Sequence, residues 1–71
     1  MTQKERVLQY MQEFGSITPV EAFTDLGVMR LSARIFDLQK DGVPIKRVTV
    51  YTKNRYGEAV HYTKYSVDER S

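Results

Sequence analysis

Cysteine is absent from the chain. That excludes disulfide bridges and thiolate metal sites, the usual staples of very short domains, and suits a reducing compartment. There is one histidine, His61. A metal centre needs several convergent ligands, so His61 reads as a strand-surface side chain and no metal is expected. No apolar run approaches the roughly 18 residues needed for a membrane-spanning helix. The opening "MTQKERVLQY" also lacks the basic-then-apolar pattern of a secretory signal. The expectation is a cytoplasmic, unprocessed protein. Also missing are a glycine-rich phosphate loop, a paired acid cluster and any Ser–His–acid arrangement that so short a chain could bury; Asp25, Asp37 and Asp41 are scattered. Neither an enzyme, nor a cofactor, nor a small-molecule substrate is expected.

What is present fits one domain, residues 1–71, with the polar end "DERS" at 68–71 expected to fray. A chain of this length buries only about 60 % of its unfolded surface, so its core is small. The net charge of +2 is unevenly placed: residues 1–26 carry −2 and residues 27–71 carry +4. This asymmetry points to a side that faces a polyanion.

Capping patterns and periodicity give the element order. "TQKE" is a capping box, in which Thr2 and Glu5 satisfy each other's backbone N–H groups. Val7, Leu8, Met11 and Phe14 then fall on one face, and Gly15 ends a helix expected over Gln3–Phe14. Ser16-Ile17 suits only a bridging strand. Thr18, Pro19 and Glu21 form a second box opening a short helix over Pro19–Asp25, with Ala22, Phe23 and Leu26 expected inward and Gly27 as its breaker. A phosphate at the Thr18 end of this helix is conceivable, although capping alone explains that residue. A third helix is expected over Arg30–Lys40, stopped by Gly42, Val43 and Pro44. Beyond it the period falls to about 2 in "IKRVTVYT" and "AVHYTKYSV". The intervening "KNRYGE" holds the turn formers Asn54 and Gly57, giving a hairpin with a basic tip. Tyr65 is expected in the core beside Val67.

The stretch "GVMRLSARIFDLQKDG" has a second surface to explain. Leu31, Ile35 and Leu38 form the core stripe, with Val28 just ahead of them. Met29, Ala33, Phe36, Asp37 and Lys40 lie opposite. Arg30 and Arg34 occupy one shoulder and Ser32 the other. An ordinary solvated helix would not place Met and Phe there.

The order of helix, short strand, helix, tight glycine-containing turn, helix and hairpin is the layout of a winged helix-turn-helix domain, an α+β fold. Over roughly Thr2–Val67 the strings "TQKERVLQYM", "GSITPVEAF", "LGVMRLSARIFDLQKDGVPI" and "KNRYGEAV" resemble a small winged helix family of bacteriophage and bacterial mobile elements. The resemblance implies binding to double-stranded DNA, in transcriptional control or as a recombination accessory factor. Groove chemistry supplies roles for the third helix. Arg30 and Arg34 can each donate two hydrogen bonds to guanine, Ser32 suits donors or acceptors, and Met29 or Ala33 can meet a thymine methyl. Asp37 and Lys40 complete that surface. At the hairpin tip Lys53, Asn54 and Arg55 would straddle a phosphate backbone or enter a minor groove. Lys46 and Arg47 touch phosphates or merely protect a sheet edge. Phe36 fits this scheme least, packing under the wing, against the first helix or in a self-association patch. The alternative is a protein-docking module using Met29, Phe36 and the wing, with a homodimer or a phage or host protein as partner.

Overall fold

Two reciprocal caps fix where the first two helices begin. The computed structural model, which describes residues 1–68, places α1 at Gln3–Phe14 and α2 at Pro19–Leu26. Thr2 Oγ1 accepts from the Glu5 N–H at 3.2 Å, and Glu5 Oε1 accepts from the Thr2 N–H at 3.0 Å. Thr18 and Glu21 repeat the arrangement at 3.2 and 3.0 Å. Helix α2 runs one residue further than its sequence suggests, and Gly27 ends it with φ 69°. This left-handed backbone is strained for side-chain-bearing residues, so the tight turn between α2 and α3 requires glycine. Helix α3 spans Leu31–Lys40, starting one residue later than expected. Its end is a Schellman motif: the Val43 N–H donates to Leu38 O and the Gly42 N–H to Gln39 O, both at 3.0 Å.

The hairpin pairs β1, Ile45–Lys53, with β2, Ala59–Val67, in an antiparallel register from Ile45↔Val67 to Lys53↔Ala59. The expected bridging strand is a single antiparallel bridge. Ile17 donates to Tyr65 O at 2.8 Å, and Tyr65 donates back to Ile17 O at 2.9 Å. This pair ties the base of the hairpin to the helices. Three helices followed by a two-stranded sheet reproduce the architecture expected from the element order.

The core is formed by Val7, Tyr10, Met11, Ile17, Ala22, Val28, Leu31, Ile35 and Leu38. Leu8, Leu26, Val43, Ile45, Tyr65 and Val67 pack around it half-buried. Two expected core residues lie outside. Phe14 is 67 % exposed, because it sits in the last turn of α1, where Gly15 turns the chain away. Its ring instead rests against Tyr10, with centroids 4.6 Å apart. Phe23 is 57 % exposed: Ala22 and Leu26, four apart, take the inward stripe of α2, and the residue after Ala22 points about 100° away from it. Tyr10, which stands at i+3 from Val7 but is not among the residues expected on the apolar face, is buried. Its hydroxyl donates to Asp25 Oδ2 at 2.7 Å, joining α1 to the end of α2. Of the tail expected to fray, 69–71 lie outside the described residues, whereas the Asp68 N–H donates to Pro44 O at 2.9 Å.

Replacing Leu38 by Ala should cost about 2–5 kcal/mol, a large share of a small domain's stability. Phe14→Ala and Phe23→Ala should each shift the melting temperature far less. Equal losses in the three variants would show that the buried stripe is misassigned. A second outcome concerns Tyr10. Its hydrogen bond to Asp25, followed by burial, raises the phenol from 10.0 to about 12. The stability this provides is therefore fully present below pH 10.0 and is lost as pH rises through about 12. Thermal melts across that interval should fall more steeply in the native chain than in Tyr10→Phe.

Candidate nucleic-acid interface

Because Leu31, Ile35 and Leu38 are buried, the two flanks of α3 face different neighbours. On one flank lies the start of α1. Arg34 Nε sits 3.2 Å from Asp37 Oδ2. Its N–H finds no hydrogen-bond partner, so the contact is a charge pairing rather than a directed bond. Arg34 Nη1 reaches Gln3 Oε1 at 3.5 Å, a long contact. One turn on, Lys4 forms an ion pair with Asp41. The hydrogen bond to Asp41 and its charge raise the Lys4 pKa above its ordinary value. This flank is lined by Gln3, Lys4, Arg34, Asp37, Lys40 and Asp41, with charges of both signs.

The other flank faces the hairpin and differs in character. Ser32, Phe36 and Gln39 follow one another at i, i+4 and i+7, and all are exposed. The Lys40 ammonium stands 5.7 Å from the centre of the Phe36 ring. Gln39 Oε1 accepts from Arg47 Nη2 at 2.8 Å, and the Arg47 guanidinium lies 5.7 Å from the Tyr65 ring centre. Arg47 is thereby fixed between α3 and the sheet. Neither Asp37 nor Asp41 lies on this side. Met29 and Arg30 are exposed just ahead of the helix, and Ala33 is half-buried. Arg30 occupies the capping position of α3 with no side-chain cap bond.

The expected wing residues separate by register. Successive side chains on a strand face opposite sides. Lys46 thus projects away from its neighbour Arg47 and lines a groove with Met11, Gln12, Gly15 and Ser66, remote from α3. Lys53 and Arg55 are exposed at the tip. Asn54 lies between them, but its side chain is engaged in the turn. Its Oδ1 accepts from the Tyr56 and Glu58 N–H groups at 2.9 and 3.0 Å, and its amide donates to Glu58 Oε1 at 3.2 Å. Asn54 therefore positions the two cations. Thr18, as a reciprocally bonded cap, is buried. His61 is exposed, 6.0 Å ring to ring from Tyr51 across the strands, and among the described residues no acid, histidine or cysteine cluster could hold a metal.

Sequence reasoning passed over Gln3 and Gln39, which position the two arginines. Gln39 carried a usable signal, since it is i+7 from Ser32 on the same flank. Gln3 carried none, because its contact with Arg34 joins residues far apart in sequence.

A family profile described as a winged helix-turn-helix domain matches residues 2–70. The chain has no significant match among curated proteins or among solved structures.

Removing the Asn54 side chain should loosen the tip without unfolding the body. In Asn54→Ala the Tyr56 and Glu58 amides should exchange with solvent faster, with a loss of about 1 kcal/mol or less in global stability. Unchanged exchange would mean that the turn does not depend on this side chain.

Proposed function

The chain belongs to the winged helix-turn-helix domain family, and on that footing we propose that it binds double-stranded DNA, with α3 in the major groove and the hairpin wing along the flanking backbone. The observation that carries this reading is the asymmetry of α3. The flank facing the wing combines the polar side chains of Ser32 and Gln39 with the fixed Arg47, and Lys40 stands between the two flanks, while Asp37 and Asp41 lie on the other. Arg30, Lys40, Arg47, Lys53 and Arg55 are the phosphate contacts in this scheme. Arg34, held beside Asp37 and Gln3, serves better as a support than as a base reader. A single domain of this type covers about 600–1,000 Å², so affinity is modest unless two copies bind together. Regulation of transcription, or an accessory part in recombination, in a phage or mobile element is the role that fits, in a cytoplasmic setting.

A second reading rests on Met29 and Phe36, exposed to 81 % and 60 %. Apolar side chains at that exposure suit docking to another protein through the same face.

Salt separates the two. Five phosphate contacts at about −0.9 each give a slope of log K against log salt of about −4.5. Arg55→Ala should weaken binding alike on all sequences and make the slope shallower by about 1. Binding of a duplex that is indifferent to salt, or undetectable at low salt, would remove this reading in favour of apolar docking.

A further inference from the structure

Phe36 takes no part in the core. Its side chain is 60 % exposed in the middle of α3, and the apolar needs of the helix are met by Leu31, Ile35 and Leu38 on the opposite side. The ring is nevertheless not free to wander. Lys40, one turn on, places its ammonium 5.7 Å from the ring centre, a cation–π contact that limits the ring's freedom. Ser32 precedes it by one turn and Gln39 follows it, so a flat apolar group stands among polar and cationic ones.

The Lys40 ammonium beside the ring, together with Arg47 held on the flank that faces the wing, favours a polyanion over an apolar protein groove. In the major groove of a duplex, every base edge presents hydrogen-bonding groups, and one apolar group is available: the C5-methyl of thymine. For an aromatic ring entering that groove, that methyl is the principal apolar partner. We infer that Phe36 is a specificity-determining residue that selects A·T pairs by contact with the thymine methyl, while Lys40 holds the ring in place. This inference rests on the DNA-binding reading above and adds to it the class of base pair preferred.

The test compares two probes, a short alternating d(AT) duplex and the same duplex with deoxyuridine for every thymidine, which deletes the methyl and keeps the pairing. The native chain should bind the thymine duplex about fourfold more tightly, the ratio expected for one buried methyl-sized group. In Phe36→Ala the ratio should fall to one, and affinity for the thymine duplex should drop to what the native chain shows for the uracil duplex. The side chain is exposed, so the melting temperature of this variant should match the native value. In Phe36→Leu, which keeps an apolar tip, a ratio above one should persist.

Failure of both duplexes to bind at low salt would overturn the DNA reading itself. Binding with a ratio of one in the native chain would overturn the inference alone. A ratio that survives in Phe36→Ala would place the methyl contact on another residue and overturn it too. So would loss of binding beyond detection in that variant, which is more than one methyl contact can account for.

Discussion

Leu31, Ile35 and Leu38 are buried against the rest of the core, and that seam decides what every other residue of α3 faces. A helix of ten residues makes fewer than three turns. Once one stripe is committed to the core, the two flanks are set by the neighbours on either side, α1 on one and the hairpin on the other. Rotating the helix by a single residue would bury Ser32 and Phe36 and expose the core stripe. The outward face therefore depends on the same apolar contacts that stabilise so small a domain.

The neighbours then sort the charges. Beside α1, Asp37 and Asp41 are engaged by Arg34 and Lys4, so the acids of the region are spent on cations of the same flank. Beside the hairpin, Arg47 is held by Gln39 and by the face of Tyr65, and Tyr65 is itself fixed by its bridge to Ile17. The bridge thus links the helical body, the base of the wing and a surface guanidinium in one connected set. An arginine restrained in this way loses less rotamer freedom on meeting a phosphate than a free one. At the far end of the wing, Asn54 organises the turn that carries Lys53 and Arg55.

Much of this was legible in the sequence, for local reasons. Capping boxes, breakers and a change of period act within a few residues, so both caps, the three helices and the hairpin can be read from "TQKE", "TPVE" and the change of period at Pro44. Phe14 and Phe23 were misplaced because periodicity cannot show where a core ends: Phe14 lies past its edge, and Ala22 excludes Phe23. The spacing of Tyr10 from Val7 is enough to place it on the buried face of α1, but no spacing reveals that its hydroxyl pairs with the distant Asp25. The same limit applies to the interface. The basic residues of α3 and the wing tip were visible as a set, but the opposite orientation of Lys46 and Arg47, and the pairing of Arg47 with Gln39, arise only when strand and helix are brought together.

The most direct test of the account is an amide chemical-shift titration of the full chain with random-sequence duplex DNA at low salt. Shifts should concentrate at Arg30, Ser32, Phe36, Gln39 and Lys40, at Arg47, and at the wing tip from Lys53 to Gly57, with little change along the middle of α1. Shifts confined to α1 or α2, or none at all, would contradict it.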